Sequence, residues 1–416
     1  MNKFKLLSTA LWMIIIMALV LQSCRKDDET VPVPLQPVDH LRGEIIGITS
    51  MGIYTVEDIQ QLLDATGEDF SFVMYNSVEA FSVKYYTENE KGDIILASGA
   101  MFVPQNTSIP FIMSIQHSTE TKRDLVASVS PENSTEGIIG LLAASMDYLV
   151  LVPDYPGFGA STCTHPYLHA NSIVPSVIDL ALVGKKYCTD QEIIFRDDLY
   201  LTGFSEGGYV SLLTQKVIEE SYQDEFDLIA VAPLSGPYDL KGMFDKIIQE
   251  GSYSTPAYVA YVLTAYDKIY GWNSLESFFR APYASMMPGL FDGTRSWGEI
   301  TNALPVTLHE LLHPDFNMYY PLPHENNNDF KSTGLVSALN ENTQLDWVPK
   351  APVNFFHGDC DDVVFCMNAI NAKNAFIANG AQDVQITIIQ GGNHASSGPI
   401  EIKGALEWFS DFQPDQ

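Results

Sequence analysis

The chain is poor in basic residues. Its 416 residues contain 22 Lys and Arg against 52 Asp and Glu, which gives a formal net charge of −30 at pH 7. A surface this negative repels phosphate backbones and anionic lipid head groups, so we expect no nucleic-acid partner. The acidic residues are scattered and form no single tract, which is typical of a surface that keeps a protein soluble.

Cysteine is scarce as well, with 5 in the chain. Cys163, Cys188, Cys360 and Cys366 have scattered spacing, which argues against a zinc site, and we expect no metal and no cofactor. Outside the cytoplasm these cysteines could form two disulfides, whose pairing the sequence leaves open.

Long apolar runs are missing except at the amino terminus. There Lys3 and Lys5 precede an apolar run from Leu11 to Leu21, which Cys24 and several charged residues follow closely. The run is shorter than the ~18 residues of a membrane-spanning helix. We therefore predict a cleaved export signal over residues 1–23.

The sequence Leu21-Gln22-Ser23-Cys24 resembles the lipobox of bacterial lipoproteins. The resemblance implies that Cys24 receives lipid and becomes the first mature residue, with contact to the membrane through this anchor only. The expected location is the outer membrane, the cell surface or the periplasm. The alternative is an ordinary secretory signal with an incidental cysteine.

Residues 24–40, with prolines at 32, 34 and 37, are predicted to form an extended tether.

Beyond the tether, strand-like apolar runs alternate with helical patterns, which predicts a mostly parallel sheet flanked by helices in the α/β class. Eight strands are predicted: Ala80 to Thr87, Ile94 to Val103, Phe111 to Ile115, Tyr148 to Val152, Leu199 to Thr202, Leu228 to Leu234, Val353 to Phe356 and Val384 to Ile389. The last helix is predicted from about Pro399 to Phe409.

The alternation stops between Pro237 and Lys350, where the sequence is aromatic, contains proline and is partly helical. We interpret residues 237–350 as a mainly helical cap inserted after the sixth predicted strand. The core would then comprise residues 41–236 and 351–416.

The strongest chemical motif is Gly203-Phe204-Ser205-Glu206-Gly207, which stands between a predicted strand and a predicted helix. A sharp turn of this kind leaves no room for side chains at Gly203 and Gly207, and it exposes the Ser205 hydroxyl as a nucleophile. Glu206, directly after the serine, is the expected backbone donor to a developing oxyanion. The alternative is a glycine-rich turn without a catalytic role.

A base follows the last predicted strand. His394, in Gly391-Gly392-Asn393-His394, can present one ring nitrogen to Ser205 and donate from the other to a carboxylate. Three aspartates just after the preceding strand compete for that role: Asp359, Asp361 and Asp362.

The order of these motifs resembles the α/β-hydrolase superfamily over roughly residues 80–412, and secretory lipases and esterases within it. The family pattern His-Gly-x-x-Asp selects Asp361 as the triad acid. The family's His-Gly loop corresponds to Gln116-His117-Ser118-Thr119, which leaves the second oxyanion donor open between Ser118 and Thr119. His117 itself is expected to bond the loop backbone.

Two further features resemble sites but are expected to be structural. Asp154, in Asp154-Tyr155-Pro156-Gly157, resembles a loop that borders the site in α/β-hydrolases. His165 and His169 have the spacing of metal ligands on a helix, but Pro166 between them favours core or loop histidines.

The predicted function is carboxylic ester hydrolysis of a small molecule through an acyl-enzyme on Ser205. One alternative is an exopeptidase of the prolyl-oligopeptidase type, which shares the order Ser, Asp, His. The other is a surface-anchored binding protein on an inactive hydrolase scaffold. The sequence contains no signal for the oligomeric state.

Overall fold

The computed structural model describes residues 40–105, 109–316, 320 and 334–413. The predicted export signal, the lipidation site Cys24 and the tether up to residue 39 lie outside these described residues. Within the described parts of the chain, every helix is too short or too polar to cross a bilayer.

The described residues form a nine-stranded sheet in the order β1-β2-β3-β5-β4-β6-β7-β8-β9. The first three strands and the pair β3–β5 are antiparallel, and all other neighbours are parallel. The strands are β1 (Ile45–Tyr54), β2 (Val78–Glu88), β3 (Ile94–Pro104), β4 (Phe111–Gln116), β5 (Tyr148–Pro153), β6 (Asp198–Phe204), β7 (Asp227–Leu234), β8 (Val353–Gly358) and β9 (Val384–Ile389).

The strand count differs from the predicted eight because β1 was missed. This strand contains Gly47 and Gly52, which interrupt its apolar pattern. Its pairing with β2 shifts register next to each of these glycines, as expected at β-bulges in an edge strand. All eight predicted strands are present, and the cap follows β7, the strand predicted as the sixth.

Helices cover both faces of the sheet. Those of the core are α1 (Val56–Thr66), α2 (Thr135–Ser145), α3 (Ala170–Asp190), α4 (Glu206–Ser221), α12 (Met367–Asn379) and α13 (His394–Ser410). Between β7 and β8 lie α5 (Leu240–Glu250), α6 (Pro256–Tyr270), α7 (Leu275–Phe278), α8 (Tyr283–Leu290), α9 (Trp297–Ala303), α10 (Leu308–Leu311) and α11 (Leu335–Glu341). The described residues of this insertion are therefore mainly helical, as predicted.

The sheet separates two large apolar cores, because successive side chains of a strand point to opposite faces. In β6, Leu199 and Leu201 belong to the first core and Tyr200 to the second. The first core also contains side chains of α3, α4 and the cap, and the second contains side chains of α1, α2 and α13.

Helix α13 begins earlier than predicted. It starts at His394 and not near Pro399, since Asn393 forms a capping box with Ser396. His394 is consequently the first residue of a helix that packs on the core, and not part of a free loop.

The cysteines of the described residues, Cys163, Cys188, Cys360 and Cys366, are all free thiols. The two disulfides considered from the sequence are thus not formed in this structure. Burial raises the pKa of the Cys188 thiol to about 12, so this thiol is unreactive at neutral pH.

Candidate active site

Ser205 lies in the sharp turn between β6 and α4. Its backbone has φ +58° and ψ −116°, a strained conformation for a residue with a side chain. A Cβ atom on Gly203 would lie 2.5 Å from the Gln116 carbonyl oxygen, and one on Gly207 would lie 2.0 Å from it. The two glycines of the motif are therefore required for β4 to pass close under the turn.

The structure brings Ser205, His394 and Asp361 together. The Nε2 atom of His394 lies 3.0 Å from the Ser205 hydroxyl oxygen, and its Nδ1 atom lies 2.6 Å from Oδ2 of Asp361. An ionised carboxylate only accepts hydrogen bonds, so Nδ1 carries the proton and Nε2 is free to accept one from the serine. The three side chains follow β6, β8 and β9, whose carboxyl ends meet at one edge of the sheet.

Asp361 is held in place by its own loop. Its Oδ1 atom accepts hydrogen bonds from the backbone N–H groups of Val363 and Val364, at 2.9 and 2.8 Å. Burial by itself raises the pKa of Asp361, but the ring nitrogens of His357 and His394 outweigh it and lower the pKa to about 2. The carboxylate is therefore ionised at any pH at which the protein would work.

The two competing aspartates are not bonded to His394. Asp359 accepts a hydrogen bond from the backbone N–H of Gly391 at 2.7 Å, and the Asp362 side chain is exposed to solvent. Of the three candidates, the structure places only Asp361 on the histidine.

The oxyanion candidates separate in the structure. Glu206 is the first residue of α4, so its N–H group has no partner within the helix. The N–H group of Ser118 donates to Glu136 at 2.9 Å and is therefore occupied. The side chain of Thr119 bonds the Tyr167 hydroxyl, and its N–H group has no acceptor among the described residues. Of these two backbone N–H groups, that of Thr119 is the unbonded one among the described residues.

Glu136 had no motif to mark it in the sequence. It lies in the first turn of α2, and its Oε1 atom accepts hydrogen bonds from both the N–H group and the hydroxyl of Ser118. This contact fixes the loop that carries Thr119. A carboxylate in the first turn of a helix is common for capping reasons alone, so the sequence could not single it out.

His117 bonds the backbone, as expected. Its Nδ1 and Nε2 atoms lie 2.6 Å and 2.8 Å from the carbonyl oxygens of Ser118 and Asp154, and its ring stacks on Tyr155. Carbonyl oxygens only accept, so both bonds form together only when the imidazole is doubly protonated. The side chain joins the two loops that border the site.

Glu206 has a second feature that the sequence did not indicate. Its carboxyl group is fully buried, with Oε1 at 2.8 Å from Nε2 of His165, and the other ring nitrogen of His165 lies 2.9 Å from the Pro156 carbonyl oxygen. His169 bonds Ser172 instead, so the two histidines have different partners. This contact attaches the loop after β5 to the turn that carries Ser205.

Asp154 is structural. Its buried carboxylate accepts hydrogen bonds from the hydroxyl groups of Ser98 and Ser128, which belong to different segments. A Cβ atom on Gly159 would lie 2.2 Å from the same carboxylate. The Asp-Tyr-x-Gly-x-Gly motif therefore folds this loop back on β3.

Two concave spaces lie in this part of the molecule, and one of them is lined by a triad residue, Ser205. The first, here called the cap cavity, is a narrow space of about 30 Å3 that reaches Ser205. Its other walls are apolar or aromatic side chains of the cap and of neighbouring loops, including Met243, Phe244, Tyr258 and Val262. The second, here called the open groove, has a volume of about 390 Å3 and lies between α2 and α13.

Glu401 is a buried carboxyl group on α13. It accepts a hydrogen bond from the Ser235 hydroxyl at 2.8 Å, and its second oxygen has no partner among the described residues. Burial raises its pKa to about 7, against the hydrogen bond from Ser235, which lowers it. Glu401 thus keeps its proton to a higher pH than an exposed glutamate does.

Glu401→Gln should therefore change the pH dependence of stability. The folded-state pKa lies above the unfolded value of about 4.3, so the stabilising contribution is full below about pH 4 and is lost as the pH rises to about 7. Above pH 7 the ionised carboxyl costs about 4 kcal/mol, which the amide avoids. Thermal unfolding at pH 4.5 and pH 8 should show a higher Tm for the variant at pH 8 only.

The matched control is Glu407→Gln, since Glu407 is exposed on the same helix. We expect no change in its Tm relative to the wild type between the two pH values. An equal Tm difference for Glu401→Gln at both pH values would contradict the buried, protonated carboxyl.

Solved structures of three other proteins share this architecture. One is a Legionella pneumophila protein, with a TM-score of 0.80 and 24% identity over 90% of this chain and 99% of that chain. The second is the rice cell wall degrading esterase LipA from Xanthomonas oryzae, with a TM-score of 0.77 and 25% identity over 89% of this chain and 98% of that chain. The third is Candida antarctica lipase A in its closed state, with a TM-score of 0.64 and 15% identity over 91% and 84%.

No protein-family profile matches the chain, and no curated protein sequence matches it either. The sheet order, the strand–turn–helix around Ser205 and the structural likenesses show that the chain has the α/β-hydrolase fold. The resemblance to this superfamily that the sequence indicated is confirmed, and its structural neighbours include esterases and lipases.

Proposed function

We propose that this protein is a carboxylic ester hydrolase that works through an acyl-enzyme on Ser205. The observation that carries the proposal is the continuous hydrogen-bonded chain from the Ser205 hydroxyl through His394 to Asp361. A nucleophile, a base and an orienting carboxylate within hydrogen-bond reach are the arrangement that acyl transfer requires. Esterases and lipases among the structural neighbours support the same class.

In the first half of the reaction, the Ser205 oxygen attacks the ester carbonyl carbon while Nε2 of His394 takes the hydroxyl proton. The carbonyl oxygen becomes an oxyanion, which the N–H groups of Glu206 and Thr119 stabilise in this proposal. When the tetrahedral intermediate collapses, the bond to the alcohol oxygen breaks. The imidazolium returns its proton to that oxygen, so a neutral alcohol leaves.

In the second half, His394 takes a proton from water and the resulting hydroxide oxygen attacks the acyl-serine. Collapse releases the carboxylic acid and returns the proton to the Ser205 oxygen. Asp361 keeps its charge throughout, because its low pKa leaves it a fixed anion that stabilises the imidazolium.

The cap cavity suits an apolar acyl group. Apart from Ser205, its lining is almost entirely aliphatic and aromatic, so the apolar end of a small acyl group is desolvated there without leaving a buried polar group unpaired. Its volume of about 30 Å3 favours a short acyl group in this arrangement of the cap. A small-molecule ester with an apolar acyl part is therefore the substrate class that we propose.

The pH dependence of kcat/KM should have a single acid limb. His394 must be neutral to accept the serine proton, so activity should fall on the acid side as the imidazole gains a proton. Asp361 does not contribute to this limb, since its pKa of about 2 lies far lower. Initial rates on an uncharged ester from pH 4 to 9 test this, and a flat profile down to pH 4 would speak against a histidine base.

The deciding experiment combines an active-site label with a substrate panel. A fluorophosphonate probe should label the soluble chain that starts after Cys24. The rates of hydrolysis of acetyl, butyryl, long-chain, feruloyl and sugar esters should then show which acyl group this chain prefers. Hydrolysis of aminoacyl-proline amides with none of the esters would favour the exopeptidase. Neither labelling nor turnover would favour the binding protein.

We also propose that the protein is exported and anchored by lipid on Cys24. The support is the lipobox-like sequence before this cysteine and the acidic cluster of Asp27, Asp28 and Glu29 after it. Metabolic labelling with a fatty acid in a bacterial host should mark the full chain and not Cys24→Ala. Labelling of both chains alike would contradict the assignment.

A further inference from the structure

His165 and Glu206 form a buried pair directly behind the nucleophile. The Glu206 side chain belongs to the residue that follows Ser205, and its carboxyl oxygen Oε1 lies 2.8 Å from Nε2 of His165. Both side chains are almost completely shielded from solvent. No Lys or Arg of the described residues forms an ion pair with Glu206, so His165 is the basic group that faces this carboxyl.

The hydrogen bonds of His165 determine how many protons the pair holds. Its Nδ1 atom lies 2.9 Å from the Pro156 carbonyl oxygen, which only accepts, so Nδ1 carries a proton. The contact between Nε2 and the Glu206 oxygen needs one more proton, on either atom, because two facing lone pairs would repel each other. With that proton the pair has no net charge, either as imidazolium and carboxylate or as imidazole and carboxylic acid.

Aromatic rings enclose the imidazole of His165 and hold it in this position. The ring centroid of Phe158 lies 4.6 Å from that of His165, and those of Tyr155 and Tyr261 lie at 6.0 Å. A Cβ atom on Gly157 would lie 2.6 Å from the backbone nitrogen of His165, so a glycine is required there. The loop after β5 is therefore shaped to pack closely against His165.

A net charge on the Glu206 side chain would oppose the reaction. The backbone N–H group of the same residue is an oxyanion donor in the proposed mechanism, so an unpaired carboxylate a few bonds away would repel the negative charge that develops on the substrate oxygen. Between two like charges at this range in a partly buried site, the repulsion corresponds to a rate change of about 10- to 100-fold. The proton that His165 supplies removes this repulsion.

We propose that His165 is a positioning residue for ester hydrolysis, which shares one proton with Glu206 and so keeps the side chain behind the oxyanion donor without net charge. This inference rests on the proposed function, since it concerns the oxyanion that forms when Ser205 attacks an ester. His165 does not line the cap cavity, and it acts through Glu206.

The test compares His165→Gln, Glu206→Gln and the double variant. A glutamine at position 165 can still donate a hydrogen bond to Glu206 but has no proton to share, so kcat/KM for the best ester should fall about 10- to 100-fold at pH 8, with KM changed less than about threefold. In the double variant neither side chain is charged, and the two amides can bond each other. Its kcat/KM should return to within about fivefold of the wild type.

A tetrahedral inhibitor distinguishes this role from a loosened fold. An alkyl trifluoromethyl ketone adds to the Ser205 oxygen, and its own oxygen becomes the oxyanion of the adduct, so its Ki reports transition-state binding. In His165→Gln this Ki should rise by about the factor by which kcat/KM falls. The Ki of the alcohol with the same chain, which forms no adduct, should change less than about twofold.

The matched control is His169→Gln. His169 lies in the same segment and is as buried as His165, but it bonds Ser172 and not Glu206. We expect its kcat/KM to stay within about twofold of the wild type, even if its Tm falls as much as that of His165→Gln. His165→Leu is a second variant without a proton to share, and Glu206→Gln should rescue it in the same way if His165→Gln does not fold.

Three results would overturn the inference. They are wild-type kcat/KM in a folded His165→Gln or His165→Leu protein, a double variant whose losses multiply, or an equal rise of Ki for the trifluoromethyl ketone and the alcohol. Each leaves ester hydrolysis itself intact. Failure of the proposed function is a different result, in which the wild-type protein hydrolyses no ester and the fluorophosphonate probe does not label it.

Discussion

Ser205→Ala should abolish ester hydrolysis almost completely, with kcat reduced by about 10^4- to 10^6-fold. The alanine removes the only atom that can form the acyl bond, while residual hydrolysis through oxyanion stabilisation and substrate binding persists. The serine hydroxyl is hydrogen-bonded to His394, and this bond is lost in the variant. The backbone N–H group of residue 205 donates to the Leu234 carbonyl oxygen at 2.8 Å, and alanine retains this bond. The turn should therefore keep its shape.

Kinetics on the best ester of the panel, together with the Tm of each variant, provide the measurement. His394→Ala should cost about as much as Ser205→Ala, and the double variant should cost no more than either, because the residues act as one unit. Losses that multiply in the double variant, or an active Ser205→Ala protein with a native Tm, would contradict the acyl-enzyme mechanism.

Asp361→Asn should lower kcat by about 10^2- to 10^4-fold, less than the loss of the serine. The reason is that Oδ1 of Asp361 accepts hydrogen bonds from two backbone N–H groups, those of Val363 and Val364. An asparagine must direct its carbonyl oxygen to these donors, so its amide NH2 faces Nδ1 of His394. That contact favours the tautomer with the proton on Nε2, which cannot accept the Ser205 proton.

The matched controls are Asp359→Asn and Asp362→Asn, which remove one negative charge from the same loop without touching His394. Both should retain activity within about twofold of the wild type, which is the usual size of an exposed charge effect. If Asp362→Asn lost as much activity as Asp361→Asn, the hydrogen bond at 2.6 Å would not define the acid.

The elements that the sequence failed to predict share a cause. In β1, two glycines interrupt the alternation of apolar and polar residues that predicts a strand. The segment is a strand nevertheless, because it pairs with β2 through bulges. The start of α13 was placed too late because a proline is common in the first turn of a helix, which favoured Pro399. The helix begins at His394 instead, since Asn393 forms the capping box. Cross-strand pairing and side-chain capping depend on contacts between residues, and the hydrophobic pattern of the sequence does not show these contacts.

The amino-acid sequence by itself determined the α/β alternation, the inserted helical segment, the strained turn at Ser205 and the order Ser, Asp, His. These follow from hydrophobic period and glycine placement, which are local properties of the chain. Only the tertiary structure decided that the N–H group of Ser118 is bonded to Glu136, that burial raises the pKa of Glu401, and that an open groove lies between α2 and α13. These features depend on contacts between distant segments and on burial, which exist only after the sheet has brought its loops to one edge.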